Sequence, residues 1–274
     1  MEILNGLIYG IVAGFAEFFP VSALAHEKYF VMFSGTMVNP FLRFFAVAGC
    51  LLAVLVIFRK QLRHMQRELR IANTRKNRRL RQPDLAAVSD ARKIIAAIPP
   101  IIAGILLQGL VPQLFGELWM MALMLILNGI VLYWLQFIVP GTRNSRTISR
   151  ADGILFGFCS ALSVIPGISG IGSILFAGQM RRYERSYLTD LAILISIPWL
   201  LGLLILDGFA LFGAVSALTL LTLIGAVLGG IASFMAASGA ISLMRYFAVR
   251  IGFHGFALYS WGIAFVSFIL YLMI

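Results

Sequence analysis

Three side chains in apolar parts of this chain have types that suit acid–base or nucleophilic chemistry: Glu17, His26 and Ser169. Glu17 and His26 flank a break in the first apolar segment at residues 18–22, and Ser169 lies in a second break at residues 166–172. Because an ionisable residue in a membrane segment is costly, Glu17 is a functional candidate. A histidine titrates near neutral pH, so His26 is either a nucleophile or general acid, or a solvated residue near an interface. Ser169 is either a ligand hydroxyl or a helix N-cap.

The composition indicates a membrane protein. Of the 274 residues, 61% are hydrophobic and 12% are charged, and the mean hydropathy is +0.95. A soluble globule needs more polar surface, and several apolar stretches reach the ~20 residues with which a helix crosses a bilayer. We therefore predict an all-α polytopic membrane protein that forms one domain over residues 1–274.

The apolar runs predict six membrane-spanning helices, at about residues 42–58, 94–111, 118–139, 188–206, 210–234 and 256–274. Asp207–Gly208 is predicted to be a turn between two of them. Two further apolar pieces, residues 3–33 and 153–180, carry the breaks. Lipid offers no hydrogen bonds, so a broken backbone segment must be buried in protein or line a cavity.

The basic residues predict the topology. Twelve of the 22 Lys and Arg lie in residues 59–93, which indicates a cytoplasmic loop. This loop attracts anionic lipid headgroups, but it lacks the interleaved aromatic residues that would favour nucleic-acid binding. Basic residues also follow residues 153–180, so this segment should enter and leave the membrane on the cytoplasmic side as a re-entrant hairpin. The C-terminus is then outside.

The two halves of the chain resemble each other. Residues 6–10, GLIYG, match residues 153–157, GILFG, and each stretch precedes a break. We predict an inverted-topology repeat, at about residues 1–139 and 150–274, in which each half has one re-entrant hairpin and three spans. Such repeats bring two broken helices together at the bilayer centre, where helix N-termini favour an anion. The substrate should therefore carry phosphate or carboxylate.

Two motifs resemble the undecaprenyl pyrophosphate phosphatase family of the bacitracin-resistance type. Residues 10–26 read GIVAGFAEFFPVSALAH where the family usually has GxxEGxxEFLPxSSxxH, and residues 166–174 read PGISGIGSI where it has PGxSRSGxT. The resemblance implies an enzyme of the bacterial plasma (inner) membrane that removes a phosphate from undecaprenyl pyrophosphate and so recycles the lipid carrier of peptidoglycan and other polymers. It also implies a fold of interdigitated inverted repeats with two re-entrant hairpins.

The resemblance carries roles to individual residues. It implies that Glu17, His26 and Ser169 are catalytic, and that Glu17 is also a ligand of a divalent cation, Mg²⁺ or Ca²⁺. The predicted substrate-binding residues are Ser22, Arg43, Gly167, Gly170, Gly172 and Ser173, among which Arg43 is our own hypothesis and not a residue of the family motif.

Several family positions are replaced in this chain. Ala13 stands in place of the first motif carboxylate, and Gly170 in place of the phosphate-clamping Arg. Loss of an Arg that stabilises phosphoryl transfer costs about 10³- to 10⁵-fold in rate. We hypothesise that Arg43 takes over phosphate binding and pairs with Glu17 in the empty site. The alternative is an interfacial Arg43 whose side chain snorkels to water.

The sequence leaves two functions open. The first is a membrane phosphatase that acts on a polyprenyl pyrophosphate. The second is a catalytically silent relative that binds, transports or flips a polyprenyl phosphate or another anionic lipid, because inverted repeats support alternating access. The oligomeric state is open as well, a homodimer included.

Overall fold

The computed structural model describes residues 2–74, 81–139, 141–145, 149–214 and 219–273. The described secondary structure is helical, apart from an isolated bridge between Arg143 and Tyr183. The α-helices in chain order are α1 (Glu2–Phe18), α2 (Ala23–Ser34), α3 (Pro40–Ile57), α4 (Arg59–Asn73), α5 (Leu85–Leu106), α6 (Val111–Leu114), α7 (Leu118–Trp134), α8 (Arg150–Ala161), α9 (Gly170–Met180), α10 (Arg185–Ala214), α11 (Leu220–Tyr246) and α12 (His254–Met273). A 3₁₀ helix (Leu162–Val164) follows α8, and a π-helical turn (Phe247–Ile251) follows α11.

Four helices are long and apolar enough to cross a membrane: α3, α10, α11 with its π-helical turn, and α12. The chain is therefore a multi-pass membrane protein, as its composition predicts. The other two predicted spans fall on α5 and α7. Helix α7 is apolar but only 17 residues long, and α5 includes the charged residues Asp90, Arg92 and Lys93. The count of six spans thus stays a prediction.

The predicted turn at Asp207–Gly208 is wrong. Helix α10 is a single helix of 30 residues that contains both residues, so the span predicted at residues 210–234 begins too early. Asp207 is buried, and its Oδ1 lies 3.2 Å from Nε of Arg43. Because Asp207 has this charged partner, its carboxylate can lie within the helix, although the sequence alone predicted a turn.

Glycines let helices from the two halves of the chain approach closely. A Cβ atom at Gly10 of α1 would lie 2.0 Å from the carbonyl oxygen of Gly229 in α11. A Cβ atom at Gly157 of α8 would lie 2.5 Å from the carbonyl oxygen of Ala97 in α5. Small residues allow such backbone contact between membrane helices. Helix α1 therefore packs on α11, and α8 packs on α5.

The chain breaks between α1 and α2, at residues 19–22 (the first break), and before α9, at residues 165–169 (the second break). Ser22 is the N-cap of α2, and its side chain accepts a hydrogen bond from the backbone N–H of Ala25 (3.4 Å). The same hydroxyl oxygen accepts a bond from the backbone N–H of Gly167 (2.8 Å). The prediction that the two breaks meet is confirmed.

Asn128, on α7, connects the two breaks a second time. Its Nδ2 donates to the carbonyl oxygen of Pro20 (3.2 Å) in the first break and to Oγ of Ser260 (3.1 Å) in α12. Its Oδ1 accepts from the backbone N–H of Ser169 (3.0 Å) in the second break. A single buried amide thus satisfies backbone groups that the breaks would otherwise leave unpaired in an apolar environment.

The basic loop begins with α4, which packs against α5. The Glu68 side chain is buried between them and accepts hydrogen bonds from the backbone N–H of Asp84 (3.0 Å) and from Nη2 of Arg81 (3.1 Å). The Asp84 N–H and the neighbouring arginines hold the pKa of Glu68 below its usual range. Glu68 therefore connects α4 to the residues directly before α5. Residues 75–80 lie outside the described ranges.

Candidate functional site

Two adjoining cavities of about 70 and 30 Å³ lie beside the meeting point of the breaks, and we call them together the central site. The residues that line both cavities are Glu17, Ala23, Ser163 and Trp199. The larger cavity also reaches Arg43, and the smaller reaches Ser169 and Gly170. There is room for a few water molecules, so a diphosphate group can enter only if side chains move.

Glu17 lies in the last turn of α1, directly before the first break, and this position brings its carboxylate to the central site. None of the described residues donates a hydrogen bond to it or forms an ion pair with it. Ala13 lines the same cavity one helical turn earlier. A methyl group therefore stands where the family motif has its other carboxylate, and Glu17 remains free to bind a water molecule or a ligand.

Ser169 is the N-cap of α9, because its hydroxyl accepts a hydrogen bond from the backbone N–H of Gly172 (3.1 Å). The N-cap alternative is thus confirmed, although Ser169 also lines the smaller cavity. The first two residues of α9, Gly170 and Ile171, line this cavity as well. The N–H groups of a first helical turn have no partner within the helix and favour an anion.

The other predicted binding residues differ in their placement. A Cβ atom at Gly170 would lie 3.0 Å from a backbone oxygen of α8, so the Arg of the family motif would not fit here without a shift. Gly167, Gly172 and Ser173 do not line the central site. Gly167 forms the turn of the second break with φ of +103°, and the Ser173 hydroxyl donates to the carbonyl oxygen of Ser169 (2.8 Å).

Arg43, which lines the larger cavity, contacts two carboxylates. Its Nε lies 3.2 Å from Oδ1 of Asp207, and its Nη1 lies 3.7 Å from Oε1 of Glu27. The Tyr9 hydroxyl donates to Oε2 of Glu27 (2.7 Å). The predicted ion pair between Arg43 and Glu17 is therefore wrong, although both side chains line the same cavity.

The structure does not bring His26 together with Glu17. His26 lines a separate, mostly apolar cavity of about 470 Å³, the lateral cavity. Its Nδ1 lies 2.7 Å from the carbonyl oxygen of Ser22, which can only accept, so Nδ1 carries the proton of the neutral ring. The Tyr259 hydroxyl then donates to Nε2 (2.6 Å). Val12 lines both the lateral cavity and the larger cavity of the central site, and Ala16 and Val21 line both the lateral cavity and the smaller one.

The side chains do not fit a divalent cation held by the protein alone. The described ranges contain no group of three or more His, Cys, Asp and Glu residues that could hold a metal ion. Glu17 is a single carboxylate, whereas Glu27 and Asp207 are already paired with Arg43. Mg²⁺ and Ca²⁺ bind six or more oxygens. Glu17 by itself supplies too few of them.

Sequence reasoning missed two polar residues that shape the site, Asn128 and Asp207. Asn128 lies inside a predicted span and Asp207 lies directly after one, and both are buried in the structure. A polar residue in a membrane helix usually faces the protein interior and has a partner there. That rule, applied to every apolar run, would have found them.

Comparison with known proteins gives the family. The model of the family described as bacitracin resistance protein BacA matches residues 6–266. The undecaprenyl-diphosphatase of Desulforapulum autotrophicum is 28% identical over 98% of both chains. The protein of that name from a Nocardioides species is 31% identical over 74% of this chain and 73% of its own, and that from Methanobrevibacter smithii is 28% identical over 98% and 97%. Since the family model covers nearly the whole length, this chain belongs to the bacitracin resistance protein BacA family.

Proposed function

We propose that this protein removes a phosphate from a polyprenyl pyrophosphate lipid carrier, with undecaprenyl pyrophosphate as the expected substrate, and so recycles the carrier for the cell envelope. One observation carries the proposal: Glu17, Arg43 and the N-terminus of α9 meet at the central site, beside two joined helix breaks. The names of the relatives, undecaprenyl-diphosphatase, supply the substrate class.

The proposed architecture is an inverted-topology repeat with six spanning helices and two re-entrant hairpins, α1–α2 and α8–α9. Its repeats would be about residues 1–139 and 150–274. Matched helix packing supports it, because α1 of the first half packs on α11 of the second, while α8 of the second half packs on α5 of the first. In such a repeat α1 corresponds to α8, and α5 corresponds to α11.

The proposed topology places the basic loop, residues 59–93, in the cytoplasm of a bacterium with the protein in its inner membrane. Arg245 lies at the same end of the molecule as this loop, 4.6 Å from the ring centroid of Phe58, and its Nε bonds Asp190 (2.6 Å). Arg43 lies about 22 Å from Phe58 along α3, at 1.5 Å per residue. The Arg43 end of the central site would then open toward the outside, as would the C-terminus.

The proposed chemistry uses the residues of the central site. Arg43 and the N–H groups of α9 would bind the negative charge of the pyrophosphate, and Glu17 would orient a water molecule. As the water oxygen bonds the terminal phosphorus, Glu17 takes its proton, the bond to the bridging oxygen breaks, and the lipid monophosphate leaves. A divalent cation would have to be held largely by the substrate's own phosphate oxygens, as Mg²⁺ often is.

Phosphate release from undecaprenyl pyrophosphate by the full-length protein in lipid nanodiscs tests this function. Glu17→Gln should lower the rate by about 100-fold or more, the range for a general base, and should leave lipid binding intact. Glu2→Gln, at the start of the same helix, is the matched control and should release phosphate at the wild-type rate. If the wild type binds the lipid without releasing phosphate, the proposed activity is wrong and the protein is a lipid binder or transporter.

A further inference from the structure

Asp207 is held firmly at Arg43 within α10, and not in the turn that the sequence predicted. The residue is 6% exposed within α10, and its Oδ1 lies 3.2 Å from Nε of Arg43. Its second oxygen, Oδ2, has no hydrogen-bond partner in the part of the chain that the structure describes. If Arg43 moved away, Asp207 would be a buried and unpaired charge, which is strongly unfavourable.

Glu27 is held at Arg43 more loosely. Its Oε1 lies 3.7 Å from Nη1 of Arg43, which is longer than a hydrogen bond. The side chain is 26% exposed, and its Oε2 accepts the hydrogen bond from the Tyr9 hydroxyl. Glu27 can therefore leave Arg43 and still be both hydrogen-bonded and partly solvated.

The groups around the central site favour an exchange in which a phosphate group replaces Glu27 at Arg43. Glu27 and Asp207 already contact the guanidinium of Arg43, so a phosphate group must compete with a carboxylate for its N–H groups. The larger cavity is also small, at about 70 Å³, and Glu27 is part of its wall. Movement of Glu27 would both expose the Nη edge of Arg43 and widen the cavity.

We propose that Asp207 is the positioning residue of Arg43 and that Glu27 is its exchangeable counter-ion. The phosphate group of the ligand displaces Glu27 from the Nη edge of Arg43, while Asp207 keeps its contact with Nε. Arg43 thereby presents two N–H groups of a planar guanidinium to the phosphate oxygens, which is the geometry that favours bidentate binding. This inference rests on the proposed phosphate site, but it does not require hydrolysis.

Binding of undecaprenyl monophosphate to the full-length protein in nanodiscs tests the inference, because this ligand has no pyrophosphate bond to cleave. Glu27→Gln should tighten Kd by about threefold or more, since a competing anion is removed. Asp207→Asn should weaken binding by about tenfold, since Arg43 loses its anchor. The matched control is Asp190→Asn on the same helix, where the Arg245 pair lies outside the central site; its Kd should equal that of the wild type.

The decisive result is that Glu27→Gln binds the monophosphate more tightly than the wild type while Asp207→Asn binds it more weakly. If only the loss of negative charge mattered, both variants would bind more tightly, and if both damaged the fold, both would bind more weakly; either outcome overturns the inference. A second measurement uses Arg43→Gln as the background, in which Asp207→Asn should no longer weaken binding because it acts through Arg43. Should Asp207→Asn fail to fold, Asp207→Glu takes its place, with a longer side chain that displaces the guanidinium and is expected to weaken binding.

The two proposals can fail separately. Phosphate release by the wild type, with Kd changes of the same sign in both variants, would leave the phosphatase standing and remove the roles of Asp207 and Glu27. Kd changes of opposite sign without phosphate release would support the roles of Asp207 and Glu27 and would remove the phosphatase activity. If the wild type does not bind the monophosphate at all, the inference is wrong.

Discussion

The backbone N–H of Gly167 donates a 2.8 Å hydrogen bond to the Ser22 hydroxyl, across 145 positions of the sequence. The same oxygen caps α2, so one side chain organises both breaks. Gly167 has φ of +103°, a conformation that glycine adopts without strain. The two breaks therefore form one structural unit, and the central site depends on its integrity.

Replacement of Ser22 should destabilise this unit. Ser22→Ala removes the cap of α2 and leaves the buried N–H of Gly167 without a partner, which together should cost about 1–3 kcal/mol. Thermal unfolding in detergent measures the loss. The control is Ser242→Ala, since the Ser242 hydroxyl is exposed and bonds only within its own helix. Equal unfolding temperatures for the two variants would contradict the role of Ser22.

The glycine contact between α1 and α11 gives a second prediction. A Cβ atom at Gly10 would lie 2.0 Å from a backbone oxygen, so Gly10→Ala must push the helices apart and should cost about 1–3 kcal/mol or more. At Gly239, no described atom outside its own helix lies within 4 Å of the Cβ position. Gly239→Ala should then be neutral or stabilising by up to about 1 kcal/mol. Unfolding temperatures that fall equally would show that the contact is not tight.

The sequence predicted those parts of the fold that depend on composition along the chain. Apolar length identified the long helices, and Pro and Gly identified both breaks, because these residues disrupt helices wherever they occur. The sequence could not predict that α10 continues past Asp207, because the partner of Asp207 is Arg43, which lies far away in the sequence. A tertiary contact at Asp207 thus lies within the helix, where the sequence predicted a turn.

For the central site, the sequence identified side chains but not their partners. Glu17 and Ser169 line the smaller cavity, because the two breaks beside which they lie meet, and Glu17 also lines the larger cavity together with Arg43 of α3. His26 follows Glu17 closely in the sequence, yet the first break turns it into the lateral cavity. The side of α2 on which His26 lies decides which cavity the imidazole lines. The sequence of α2 has only a weak amphipathic pattern, so it does not predict which side of the helix faces the central site.

The pH dependence of the basic loop follows from Glu68. The pKa of Glu68 in the folded protein is lowered, first by the Asp84 N–H and then by the positively charged neighbours of Glu68. The contribution of Glu68 to stability is therefore complete above the ordinary pKa of about 4.3, and it is lost as the pH falls through the lower folded value. The protection of the α4 amides from hydrogen exchange, measured relative to the intrinsic rate at each pH, should therefore fall at low pH in the wild type. In Glu68→Gln the exchange should already be fast at pH 7. Slow exchange in that variant at pH 7 would contradict the role of Glu68.

Because His26 and Glu17 line different cavities, we predict that their variants differ in the size of the loss in kcat. Tyr259→Phe removes the hydroxyl that donates to Nε2 of His26, and in the lateral cavity this should lower kcat for phosphate release by less than about tenfold. Glu17→Gln should lower kcat by about 100-fold or more. His26→Gln keeps a polar side chain and should resemble Tyr259→Phe, because the imidazole lines the lateral cavity and neither cavity of the central site. A loss in His26→Gln as large as that in Glu17→Gln would place the imidazole at the reacting phosphate, and the lateral cavity would then have to open into the central site during turnover.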